Sequence, residues 1–241
     1  MKAPTLLRRS ALAILIAAGS VGLLAPVTAN AAAPMVKTSA PGYYRMMLGD
    51  FEVTALSDGT VSLPVDKILT NTTPAKVDQA LGKYYLKSPV ETSVNGYLIN
   101  TGDKLILVDT GAAGLFGPTL GRLAANLKAA GYTPEQVDEV YITHMHGDHV
   151  GGLMTGDQRS FPNAIVRADQ HDADYWLSQE NLDKAPADNK QAAIARKKAY
   201  ADAAKNGYLV ASAHLSFPGI GHIRSEGKGY AWVPVNYTPV R

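Results

Sequence analysis

The run Thr143-His144-Met145-His146-Gly147-Asp148-His149 puts four metal-capable side chains within six residues, directly after the apolar triplet Val140-Tyr141-Ile142. The triplet reads as the end of a buried strand. His144, His146 and Asp148 are spaced two apart, so a continued extended backbone would send all three to one face. His149 breaks that parity and needs a turn, which Gly147 makes easy. Imidazoles and a carboxylate converging at a strand end suit zinc, and two adjacent ions would employ all four side chains. The alternative is a solvated His-rich loop, which makes the whole spacing an accident.

The 241 residues suffice for one α/β domain with a sizeable core. Residues 1–31 fall outside that core. Lys2, Arg8 and Arg9 form a positive start, Ala11 to Val27 is an interrupted apolar stretch, and Ala29-Asn30-Ala31 supplies a small-residue cleavage site. The pattern predicts a secretory signal peptide over 1–31, a single domain over 32–241, and a periplasmic or secreted protein. Cleavage removes three of the 23 Lys and Arg and none of the Asp and Glu, leaving 20 basic against 21 acidic residues. The basic sequence pI of about 8.6 therefore belongs to the leader and gives no basis for nucleic-acid binding. Once the leader is cleaved, the expectation includes no membrane partner either. No cysteine is present, so any metal site uses His, Asp and water.

Along the chain, Asp50 to Leu56 alternates like a half-buried strand, and Asp58-Gly59 predicts a hairpin turn before Thr60 to Leu63. Thr73-Pro74 opens a helix expected to reach about Lys87. Val94–Ile99 and Lys104–Val108 form a strand pair turned at Thr101-Gly102-Asp103. Pro118 is expected to open a helix with Leu120, Leu123 and Leu127 on one face, ended by Gly131. Strands follow at Glu139–Thr143 and Ala164–Ala168, with a helix near Asp169–Ser178. A second helix is expected over Lys190–Lys205, and a strand over Tyr208–Ala213 ends at His214.

This order of strand, Asp109-Thr110-Gly111, helix, strand and H-x-H-x-D-H followed by two glycines resembles the metallo-β-lactamase superfamily. The stretches Ala40 to Glu52, Gly111 to Leu120 and His214 to His222 are similar to the methyl parathion hydrolases within it. The resemblance implies an α/β (α+β) fold, an αββα sandwich with a metal site between the sheet ends. It implies Zn2+, one or two ions, with His144 and His146 at one ion and Asp148, His149 and His214 at the other. Asp109 would steady the metal loop from beneath, and Phe116 and Trp176 would line the substrate pocket.

Only 65 positions separate His149 from His214, and the resemblance implies a third histidine and a bridging aspartate that this interval does not supply. An internal deletion near residues 186–192 is therefore expected, leaving the second half-sandwich incomplete and a homodimer open as a way of covering it. The implied activity is hydrolysis of a small-molecule organophosphate triester, with Asp148 at the catalytic ion. A lactonase or esterase and a non-catalytic remnant are the alternatives. His171 reads as a surface helix residue, and His222 as part of the terminal segment.

Overall fold

The computed structural model describes residues 33–176, 200–227 and 229–236. Two units are distinguished, residues 1–39 and 40–241. In the first, residues 33–39 are exposed and carry no regular structure. The signal peptide, the helix start at Lys190 and the deletion expected near 186–192 lie outside the described residues.

In the second unit, β1 (Tyr43–Leu48), β2 (Phe51–Leu63), β3 (Val90–Asn100) and β4 (Leu105–Val108) form an antiparallel meander. β5 (Glu139–Ile142) and β8 (Ile165–Ala168) extend it in parallel, giving a six-stranded sheet in the order β1-β2-β3-β4-β5-β8. β6 (Met154–Thr155) and β7 (Gln158–Arg159) form a small hairpin. β9 (Leu209–Ala211), β10 (Ile220–Glu226) and β11 (Gly229–Pro234) make a second, three-stranded antiparallel sheet.

Period-two alternation sorts the side chains of the large sheet onto two cores. Leu56, Leu98, Leu105 and Leu107 face one side, where Leu123 and Leu127 of a helix (Leu123–Ala129) join them. Full burial of Leu56, Leu107 and Leu127 contributes roughly 1.5–3 kcal/mol each. Ala55 and Tyr97 face the other side and meet Ile220 of the second sheet. The layers are thus helix, sheet, sheet, the mixed α/β sandwich that the sequence implies, with three described strands in its second half. β8 forms one edge of the large sheet and is exposed along its whole length.

Three local expectations are corrected. Asp58-Gly59 makes no hairpin. β2 runs straight through it, and the register against β3 shifts between Ser57 and Gly59 as a bulge. The bulge turns the buried Asp58 carboxylate inward, where it accepts the backbone N–H groups of Ala112, Gly121 and Leu123 at 2.9, 3.1 and 3.0 Å. That capture explains the second correction: the helix expected from Pro118 starts at Leu123. Gly121 lies at φ +84, which no helix residue adopts, and its N–H is committed to Asp58. Third, the helix opened by Thr73 spans Pro74–Gly82 and stops short of Lys87.

Candidate metal centre

β5 carries the histidine run to the end of the sheet. The chain stays irregular through His146 and then turns into a short helix, α4 (Gly147–Val150); the helices before it are α1 (Val65–Ile68), α2 (Pro74–Gly82) and α3 (Leu123–Ala129). Asp148 therefore does not share an extended face with His144 and His146, as the spacing predicts. It sits in the first turn of α4, where the anion is also favoured by the helix N-terminus. The same turn brings His149 inward and buries it.

Two outer acceptors fix the inner histidines. Nδ1 of His149 lies 2.7 Å from the buried Asp109 carboxylate, and a carboxylate only accepts, so the ring hydrogen is on Nδ1. Nδ1 of His214 lies 3.2 Å from the carbonyl of Ser93, which imposes the same tautomer. Both rings therefore turn a bare Nε2 toward the same point. The two Nε2 atoms are 3.2 Å apart, and Asp148 Oδ2 lies 3.5 Å from that of His149 and 3.3 Å from that of His214.

This triangle tests the fit of a metal directly. Ligands on zinc at roughly 2.0–2.2 Å in tetrahedral array stand roughly 3.3–3.6 Å apart, close to the edges seen here. Two lone pairs and a carboxylate converging without a shared hydrogen repel one another unless a cation sits among them. Asp148, His149 and His214 form the one group of three such ligands among the described residues, with all ligand atoms within 4.8 Å.

His144 and His146 make a separate pair. His144 Nε2 lies 3.0 Å from His146 Nδ1, and the His144 and His149 rings are 3.9 Å apart between centroids. Burial, and then the neighbouring His149 and His146, lower the pKa of His144 and favour its neutral, ligand-competent ring. Among the described residues no third ligand completes this pair.

The support below the site comes from several strands. Thr143 donates its hydroxyl to Asp109 at 2.8 Å, and its N–H reaches the same carboxylate at 2.9 Å. Thr110 donates to the carbonyl of His149 at 2.8 Å. Gly151 and Gly152 pack where a Cβ would come 2.4 Å from the carbonyl oxygen of Ala112 and 2.0 Å from that of Thr110. β3 grips the His214 segment: Asn95 donates to the carbonyls of Ala213 and Leu215, and Tyr97 to that of Ser212.

The remaining sequence candidates are scattered. Phe116 is half exposed, and its ring would lie 3.1 Å from a Cβ at Gly147, so it borders the metal loop. Trp176 closes the helix α5 (Gln170–Trp176), and its side chain lies outside the described residues. His171 is exposed and bonded to Asp169. His222 on β10 donates Nδ1–H to the carbonyls of Gly207 and Tyr208 and belongs to no ligand group. A cavity of about 430 Å³ opens between the two sheets, walled by Val53, Ile99, Val108, Leu209 and Ile220, with His144, His149 and His214 at its end. Sequence reasoning missed Asp58 and Asp172, since a lone aspartate carries no spacing signal.

Residues 89–200 match the family model of the metallo-beta-lactamase superfamily. The structure is similar to the crystal structure of hydrolase AbOPH of the beta lactamase superfamily, with a TM-score of 0.76 and 29% identity over 84% of this chain and 100% of that one. It is also similar to AidC, a dizinc quorum-quenching lactonase, with a TM-score of 0.74 and 18% identity over 82% and 99% of the two chains. Among curated proteins, a Beta-lactamase-like protein 2 homolog of Caenorhabditis elegans is 43% identical over 60 residues, 24% of this chain and 19% of its own length. A hydroxyacylglutathione hydrolase of Aeromonas salmonicida is 38% identical over 76 residues, 32% of this chain and 26% of its own length. The matches thus span about a fifth to a quarter of those relatives. The fold is that of the metallo-β-lactamases.

Proposed function

We propose that this metallo-β-lactamase-fold chain is a metal-dependent hydrolase of activated esters, working at the Asp148, His149 and His214 triad. The triangle of ligand atoms with edges of 3.2–3.5 Å carries the reading. Zinc is the cation we assign, because a borderline ion suits two imidazoles and a carboxylate. Bound there, it supplies Lewis acidity and an oxygen nucleophile at neutral pH.

The chain's own contribution is orientation. Asp109 and the Ser93 carbonyl hold the two rings with Nε2 inward, and Asp148 adds the negative charge that favours a divalent cation. His144 and His146 stand beside the triad, the His144 ring favoured neutral by its burial, as the two further ring ligands that a second ion would use. Phe116, packed against Gly147 of the metal loop, would offer an aromatic face to a leaving group. The three triad residues are all taken up as ligands, so none of them is left to serve as a general acid. That favours a substrate whose leaving group departs as a stable anion, such as the nitrophenolate of a phosphotriester.

The phosphotriester class also rests on the sequence similarity of Ala40 to Glu52, Gly111 to Leu120 and His214 to His222. A lactone is the rival, because the same nucleophile attacks carbonyl carbon. Initial rates of the zinc-loaded protein on methyl parathion and on an acyl lactone separate them, with the phosphotriester expected to be faster. Dominance of the lactone overturns the substrate assignment. Loss of neither rate in His214→Ala overturns the site. Export ahead of this chemistry is proposed from Lys2, Arg8, Arg9 and Ala29-Asn30-Ala31, and the amino terminus of the mature protein, expected at Ala32, checks it.

A further inference from the structure

Asp172, on α5, reaches back to the metal loop. Its Oδ2 accepts the backbone N–H of Met145 at 2.6 Å. Met145 stands between His144 and His146 in a stretch with no helix or strand of its own. Its peptide has no ladder to fix it, and the carboxylate takes that place through a charge-assisted bond.

The topology makes this contact possible. β5 and β8 are parallel neighbours, with Ile142 opposite Ala168, so the metal loop and α5 leave the sheet from adjacent ends. Asp169 sets the phase of α5: its carboxylate accepts the N–H of His171 at 2.8 Å, and its carbonyl that of Ala173 at 3.0 Å. Residue 172 then falls on the side facing the loop. Meanwhile the Met145 side chain packs against the helix-side core. With its side chain held below and its N–H held by Asp172, Met145 has little freedom to rotate, and the rings of its two chain neighbours meet, His144 Nε2 lying 3.0 Å from His146 Nδ1.

We propose that Asp172 is a positioning residue for the His144 and His146 pair, holding their rings side by side, 3.0 Å apart between nitrogens, before any cation arrives. The proposal rests on the metal-centre reading above and extends it to an element outside the ligand motif. Its role is that of an acceptor, so Asp172→Asn, whose amide oxygen still accepts, should retain it, whereas Asp172→Ala should not.

The test uses the full mature chain and two readouts. Amide hydrogen exchange of the metal-free protein reports the Met145 N–H, and cobalt(II) titration followed by visible absorption reports the second equivalent, the one the His144 and His146 pair would take once the triad is filled. Asp172→Ala should speed exchange at Met145 about tenfold or more and weaken that second cobalt about 10- to 100-fold, the usual range for partners behind a ligand, with the first equivalent unchanged. Asp172→Asn should restore both to near wild type, which separates positioning from a general loss of structure. Wild-type exchange and cobalt affinity in Asp172→Ala would overturn the proposal, as would an Asp172→Asn variant as impaired as the alanine. A wild-type protein that takes up no cobalt would instead sink the metal-centre reading. Exchange at Met145 would then judge the Asp172 clamp separately, an unchanged rate in Asp172→Ala overturning it.

Discussion

Tyr97 and Ser212 are bonded in both directions: the phenol donates to the Ser212 carbonyl at 2.8 Å and accepts the Ser212 N–H at 3.1 Å. Burial pushes the Tyr97 hydroxyl above its usual titration range, so the donor is present at every working pH. Together with the Asn95 bonds, this contact ties β3 of the large sheet to the segment that presents His214. Removing it in Tyr97→Phe leaves the Ser212 carbonyl short of a donor, while the Ser212 N–H keeps the Gly219 carbonyl at 2.8 Å. Thermal unfolding of the metal-free protein should show a loss of about 1–3 kcal/mol. Zinc affinity by chelator competition should fall as well, because His214 loses its anchor. An unaltered affinity would show that Asn95 alone holds the segment.

His214 is the most exposed of the three triad ligands, and it comes from the turn between β9 and β10, whereas the other two lie on α4. His214→Ala should remove the stoichiometric zinc of the triad, measured by plasma mass spectrometry on protein purified without chelators, and hydrolysis with it. His144→Ala should leave that ion in place. Equal zinc loss in both variants would mean that the five residues act as one site.

Asp58 binds three N–H groups from deep within the fold, on the side of the sheet away from the second sheet's core. Asp58→Ala leaves all three unpaired, and at about 1–3 kcal/mol each the loss should approach the whole stability of a domain this size. Asp58→Asn keeps part of the acceptor capacity and should fall between. Denaturant midpoints for the two variants check the order.

Glu139 on β5 is held by Lys104 on one side and by Arg167 at 2.6 Å on the other. The hydrogen bond from Arg167, and then that from Lys104, lower its pKa from an ordinary 4.5 to about 2. A carboxyl whose folded pKa is depressed stabilises the fold fully above its unfolded value and loses that contribution as pH falls toward the folded value. Glu139→Gln should therefore melt below wild type at pH 7. The gap in Tm should close between about pH 4.5 and pH 2. A gap that stays constant with pH would mean the pair contributes through shape and not charge.

Some of this was legible in the residues. The alternation in β3 and β4, the Thr73 cap, the strand that delivers the histidines and the grouping of His144 with His146 all follow from rules that act over a few residues. Local rules fail where a distant group intervenes. Asp58-Gly59 carries every short-range sign of a hairpin, yet Leu63 and its neighbours continue the strand because the bulge lets Asp58 cap the 111–123 loop. Leu120 is buried as the helical pattern implies, but as part of that loop.

The sequence by itself determined which side chains can bind a cation, because ligand chemistry belongs to residue type and the H-x-H-x-D-H run holds four of them within six positions. Only the tertiary structure decided which of them converge in space. Short-range geometry places Asp148 with His144 and His146; the turn into α4 and the arrival of His214 across 65 residues place it with His149 instead. Convergence of that kind depends on strand order, on the Tyr97 and Asn95 anchors and on the tautomers set by Asp109 and the Ser93 carbonyl. Each is a contact between residues far apart in the chain, and no spacing rule encodes it.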